Sequence, residues 1–170
     1  MKAINYRTGE NRYMKTKIVN DELVFAYQDG FNGMTEEEIR GLSTPSGAPE
    51  IALRDPEKKI VAAVGFKSVN GFSAMMLNTK DIAKHDEPAL AEAMKSYGYK
   101  LDQFVSEKFG EADAEGFRYN YKVQDVEMSA EMLVVKQKKN VYYIHFYYRT
   151  ANKEESLAVL DEILKASSLK

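Results

Sequence analysis

Two kinds of hydrophobic spacing divide the chain. Near the start, alternating runs at Met14 to Val19 and Leu23 to Tyr27 read as strands, with "NDE" between them and "QDGFNG" after them as turn material. The sequence therefore predicts a hairpin. In "TEEEIRGL", Thr35 and Glu38 have the spacing of a capping box and three acids fill the first turn, so a short helix follows. "LSTPSGAP" breaks it, and "EIALRD" and "KIVAAVGFKSV", joined by "DPEKK", form a second predicted hairpin.

From Asp86 the period lengthens. Leu90, Ala93, Met94 and Tyr97 fall at i, i+3, i+4 and i+7, lining one face of a helix that Gly98 ends and whose first turn holds Pro88. A strand over Phe72 to Leu77 is expected in the segment before it. After Gly98 the alternation returns in "YKLDQFVSEKF", "GFRYNYKVQ", "EMSAEMLVVKQ" and "NVYYIHFYY", separated by short turns. Four antiparallel strands in meander order are the economical reading. The chain then runs into "NKEESLAVLDEILKASS", where Asn152 and Glu155 have capping-box spacing. Leu157, Leu160, Ile163, Leu164 and Ser167 make one stripe to lay on the sheet.

The residues from Gly110 through the meander to "ILKASS", preceded by a short strand pair and a helix, resemble the PsbP-like superfamily. That superfamily also takes in the Ran-binding Mog proteins and bacterial secretion-adaptor chaperones. The resemblance is closest over the meander and terminal helix and rests on topology elsewhere. It implies an α+β fold, an α/β/α sandwich whose central antiparallel sheet is covered by helices on both faces. It further implies a protein that binds other proteins, as relatives bind a photosystem, a small GTPase or the apolar segments of secreted effectors. No contact motif of those relatives matches here position by position, so no residue roles transfer.

Composition narrows the function classes. With 170 residues, 44% hydrophobic, 29% charged, four prolines and ten glycines, the chain suits one domain spanning residues 1–170. A net charge of −2 offers no positive field for a phosphate backbone, which argues against nucleic acid. "KQKK", Lys136 to Lys139, reads as a solvated hairpin tip. The absence of cysteine excludes disulfides, thiolate metal sites and cysteine nucleophiles. No apolar run reaches the ~20 residues of a membrane span, and the N-terminus has no secretory h-region. The expectation as written is a cytoplasmic chain, monomer or homodimer, a removed leader or lipid anchor aside.

No nucleophile elbow, dinucleotide or phosphate loop, zinc helix or calcium loop occurs, so no catalytic residue, metal ligand or cofactor is assigned. "SSLK" spells a serine–lysine motif at what reads as a frayed end, and His85 beside Asp86 reads as solvated. Interest falls on "NVYYIHFYYRT", Asn140 to Thr150, which holds four of the eleven tyrosines and one of two histidines. Strand alternation puts Tyr142, Ile144, Phe146 and Tyr148 on a core face and Val141, Tyr143, His145, Tyr147 and Arg149 on the other. A two-residue turn at Lys138-Lys139 or Lys139-Asn140 adds Met132 and Val134 to the second face.

The candidate binding residues are therefore Met132, Tyr143, His145, Tyr147 and Arg149. Such a face can grip a partner protein or peptide, form a small-ligand or hydrolytic pocket, or carry a covering helix. The expected function is a non-enzymatic protein-binding or adaptor domain. The alternatives are that pocket, and a structural subunit of a homo-oligomer joined through an edge strand.

Overall fold

The computed structural model describes residues 14–170; the segment read above for a leader, residues 1–13, lies outside them. Strands β1 (Met14–Val19) and β2 (Leu23–Gln28) form the first hairpin, turning at Asn20 and Asp21, whose φ values of 55° and 52° suit residue types that tolerate the left-handed region. After the two-residue β3 (Asn32–Gly33) comes α1 (Glu36–Arg40). Its capping box is complete: the Thr35 hydroxyl accepts from the Glu38 amide at 3.2 Å and the Glu38 carboxylate accepts from the Thr35 amide at 3.1 Å. Strands β4 (Ile51–Asp55) and β5 (Ile60–Ser68) make the second hairpin, with Asp55 Oδ1 accepting the Glu57 and Lys58 amides in the turn.

The expected strand at Phe72–Leu77 is instead a helix, α2 (Gly71–Met76), capped by Asn70, whose side chain accepts the Ser73 amide at 2.8 Å. Alternation failed as a guide because it presumes that apolar residues are buried, whereas only Ala74 of this helix is. Lys136 is no part of a solvated tip. Its ammonium donates to the Ala74 carbonyl and, at 2.8 Å, to the Leu77 carbonyl, holding the C-terminal end of α2. The next helix, α3 (Thr79–Ala93), starts earlier than Asp86, capped by Asn78 on the Asp81 amide; Ile82 and Ala83 extend the buried stripe begun by Leu90. Pro88 thus lies inside the helix on its exposed side. A 3-10 turn at Lys95–Tyr97 separates α3 from Gly98, whose φ of 71° ends the helical path.

The meander is present: β6 (Lys100–Phe109), β7 (Ala112–Val123), β8 (Val126–Gln137) and β9 (Asn140–Arg149), each paired antiparallel with the next. A 3-10 turn, Thr150–Asn152, leads into α4 (Lys153–Ala166). The expected Asn152 capping box is absent: Asn152 ends the 3-10 turn with φ −109° and ψ 24°, outside the extended backbone that a cap takes, and its side chain caps no amide. On α4 the buried residues are Ser156, Val159, Leu160, Ile163, Leu164 and Ala166, and Leu157 is half-buried. The residues after it are not frayed: Ser168–Leu169 form β10, paired with Val24 and Leu23 of β2.

The strands compose two sheets, a seven-stranded one in the order β3-β4-β5-β9-β8-β7-β6 and a three-stranded one in the order β1-β2-β10. One face of the large sheet carries Tyr142, Ile144, Phe146 and Tyr148, and meets α4 together with Phe25 and Tyr27 of the small-sheet hairpin and Phe31 just after it. The opposite face carries Phe117, Met132, Val134 and Tyr143 and meets Ile82, Ala83 and Leu90 of α3. The result is the α/β/α sandwich, in which one outer layer is α4 with the small sheet beside it.

Two polar ties secure the α4 layer. Ser167, 2% exposed, donates to the Ile163 carbonyl at 2.7 Å and accepts the Ala26 amide at 3.0 Å. Farther along the sheet Arg118 lies between Glu131 at 2.5 Å and Glu107 at 3.3 Å. Burial, then the neighbouring Glu107 carboxylate, push the Glu131 carboxyl up, with Arg118 opposing them. No helix among the described residues is long and apolar enough to cross a membrane.

Candidate functional site

Strand β9 occupies the middle of the large sheet, hydrogen-bonded to β5 on one side and β8 on the other. Its turn from β8 is the two-residue loop Lys138-Lys139, which pairs Met132 with His145, Val134 with Tyr143 and Ala130 with Tyr147. Val141, Tyr143, His145, Tyr147 and Arg149 consequently share the α3 face.

Cover on that face thins along the strand. Tyr143, 8% exposed, packs with the α3 cluster; the Lys67 ammonium stands 5.9 Å from its ring centre. Its phenol is pushed up to about 12, first by burial and then by the Asp86 carboxylate. His145 is 6% exposed, and its ring lies parallel to that of Tyr147 at 6.0 Å. Burial pushes its imidazole down to about 4, so it is neutral at neutral pH, and its Nδ1 makes no hydrogen bond. Met132 opposite it is buried, Tyr147 is half-buried and Arg149 is exposed.

Two hollows border these residues. The smaller, about 200 Å3, has His145 and Met132 at one side and Lys67, His85 and Asp86 at another. The larger, about 490 Å3, is bounded by Tyr147, Tyr119 and Tyr121 of the sheet, by Leu90, Ala93 and Met94 near the end of α3, and by the Gly41–Pro45 loop. Thr44, Pro45 and Leu90 belong to both, so the hollows adjoin along the loop. That loop is stiffened by paired backbone bonds between Thr44 and Gly47, at 3.1 and 2.8 Å. Its continuation crosses β5 at Gly65, where a Cβ would come within 3.3 Å of the Ala48 carbonyl oxygen.

The larger cleft is an aromatic one. Tyr119 stacks on Tyr99 at 5.0 Å and leans on Tyr121 at 5.8 Å. Burial raises the Tyr119 and Tyr147 phenols strongly and pushes Tyr121 up to about 12, so all three stay protonated. The buried Tyr119 hydroxyl has no partner. An apolar or aromatic group could bury its surface against these rings. The cavity-side histidine has no acid partner and, being neutral, offers one acceptor nitrogen.

Of the candidate residues, Tyr147 lines the cleft, Met132 and His145 line its smaller neighbour, Tyr143 lies beneath α3, and Arg149 stands at the strand end opposite Met128, another cleft residue. Sequence reasoning missed Tyr119, Tyr121, Leu90 and the Gly41–Pro45 loop as site residues. Carrying the register one strand further, Tyr119 to Ala130 to Tyr147, would have found the first. The loop has no such signal.

No sequence family matches the chain, and no curated protein sequence does. Solved structures do match in shape. The solution structure of cyanobacterial PsbP (CyanoP) from Synechocystis aligns over 97% of this chain and 96% of its own, with a TM-score of 0.66 at 12% identity. LpqN of Mycobacterium tuberculosis, a protein involved in cell envelope biogenesis, aligns over 98% of each chain with a TM-score of 0.58 at 8% identity. A protein from Bacteroides thetaiotaomicron aligns over 87% of this chain and 45% of its own, with a TM-score of 0.58 at 7% identity. At these identities the likeness concerns architecture, and with the sheet order and helix layers above it establishes that this chain has the PsbP-like fold.

Proposed function

We propose that this chain is a single non-enzymatic binding domain that receives an apolar or aromatic segment of a partner polypeptide in the cleft over Tyr147. The observation that carries this reading is the cleft itself, about 490 Å3 and walled by tyrosines, Leu90, Met94 and Met128 on the face of the sheet that α3 covers only in part. Tyr147 and Arg149 make contact in this scheme, while Met132 and His145 line the adjoining hollow and Tyr143 stays beneath α3. Partner binding in a fold of this shape is in keeping with the architecture, since the cleft is assembled on rigid strands and needs no catalytic group.

Ala93 provides a clean probe, because it is exposed on the last turn of α3 and also lines the cleft. Peptides selected against the wild-type protein from a display library should shift the NMR signals of Tyr121, Met128 and Tyr147. Ala93→Trp should weaken them about tenfold or more while leaving the melting temperature unchanged, since it fills the space without touching the core. Failure to select any peptide, or affinity indifferent to the tryptophan, removes the reading. A free small molecule is the second reading, favoured by a volume inside the ~300–1,000 Å3 range of ligand pockets. A fragment screen blocked by the same tryptophan distinguishes the two.

A further inference from the structure

Helix α2 presents its apolar residues to solvent. Phe72, Met75 and Met76 are 78%, 84% and 71% exposed, the three highest values among the exposed large hydrophobics of the described residues. The helix is tied at both ends: Asn70 caps it, and Lys136 holds the carbonyls of Ala74 and Leu77. The Val69 amide further bonds the Lys139 carbonyl at 2.8 Å, tying the approach to α2 onto the β8–β9 turn. Lys136, Lys138 and Lys139 share a shallow basin with Gly71, Ala74 and Met75.

The charge around this knuckle runs against that of the chain. The protein carries 26 acidic residues and a net charge of −2, yet residues 58–80 and 132–153, which supply α2 and the β8–β9 turn, contain no Asp or Glu. Asp81, the next acid along the chain from α2, is engaged with Asn78, and Glu22, which reaches the β8–β9 turn, is engaged with Asn140 and Tyr142. Three apolar side chains on a convex helix cannot supply the ~800 Å2 per partner of a stable protein interface. Apolar tips flanked by lysine stems are what the boundary between headgroups and acyl chains accepts.

We propose that α2 and the Lys138-Lys139 turn form a membrane-contact knuckle. It inserts Phe72, Met75 and Met76 into the interfacial layer of an anionic bilayer, with the two lysines against the lipid phosphates. The contact is peripheral and reversible, and it is independent of the cleft.

The test is co-sedimentation with vesicles of phosphatidylcholine alone and of phosphatidylcholine with about one third phosphatidylglycerol. The wild-type protein should bind the anionic vesicles and release them in salt, and should ignore the neutral ones. Phe72→Ser/Met75→Ser/Met76→Ser and, separately, Lys138→Glu/Lys139→Glu should each lower partitioning about tenfold or more. Both sets alter only exposed side chains, and unchanged melting curves certify the fold. A single Phe72→Trp should show a blue-shifted emission on anionic vesicles. The proposal is overturned if the wild type does not sediment with them, if either variant binds as well as it does, or if the tryptophan stays at its aqueous emission. It is equally overturned if the triple serine variant abolishes a lipid-free dimer, because a second copy would then be the occupant.

Discussion

Replacing His145 with phenylalanine should flatten part of the acid unfolding of this protein. The folded state holds that imidazole at about 4 against an ordinary 6.5, because burial penalises the cation. Between those values the unfolded chain binds a proton that the folded one refuses, so stability is intact above 6.5 and drains away as the pH falls toward 4. At about 1.4 kcal/mol per pH unit, the gap amounts to ~3 kcal/mol. Among the described residues the other titratable groups on the same cavity are Lys67, His85 and Asp86, and burial is the cause resolved for the shift. Phenylalanine keeps a ring to stack on Tyr147 and removes the unpartnered Nδ1. Urea unfolding followed by circular dichroism across this range should show the variant gaining on the wild type by ~3 kcal/mol toward the acid end, with near equality at neutral pH. Parallel profiles within ~0.5 kcal/mol would refute the reasoning, as would an NMR titration of His145 near 6.5.

Two further substitutions probe the α4 layer. Arg118→Met strips the buried Glu131 of its cation and should cost ~3–5 kcal/mol where Glu131 is ionised. Because the folded Glu131 carboxyl is raised, the loss should be smaller in acid and grow as the pH rises through its folded value, which denaturant midpoints at two pH values will show. Ser167→Ala orphans the buried Ala26 amide and should cost ~1–3 kcal/mol, with hydrogen exchange quickening first at Ala26.

The meander and the faces of β9 were legible because strand geometry is strictly two-periodic. Once Lys138-Lys139 is taken as the turn, Met132 has to oppose His145. Helix α2 was illegible for a physical reason, since Phe72, Met75 and Met76 carry apolar character without burial and so mimic a strand in pattern alone. The start of α3 was hidden behind the polar run Lys84, His85 and Asp86, although Ile82 and Ala83 before it are buried. The cleft could not be read at all, because its walls come from the 41–45 loop, the end of α3, β7, β8 and β9, and only tertiary packing assembles them. Asn152 shows the same limit locally: capping-box spacing was present, but the 3-10 turn that Asn152 ends holds its backbone outside the extended conformation that a cap takes.

The pairing of β2 with β10 fixes an order of events during synthesis. β2 leaves the ribosome early, but the Ser167 hydroxyl that takes its Ala26 amide is 141 residues farther along. Until then β2 has a strand neighbour on one side alone, β1, and its other edge waits for Ser168 and Leu169. The meander, whose contacts are between neighbours in sequence, can close first and wait. The small sheet is therefore the last clasp fastened on the nascent chain, and a ribosome stalled before Ser167 would hold out an unfinished hairpin of buried-type residues for chaperones or neighbouring chains to find.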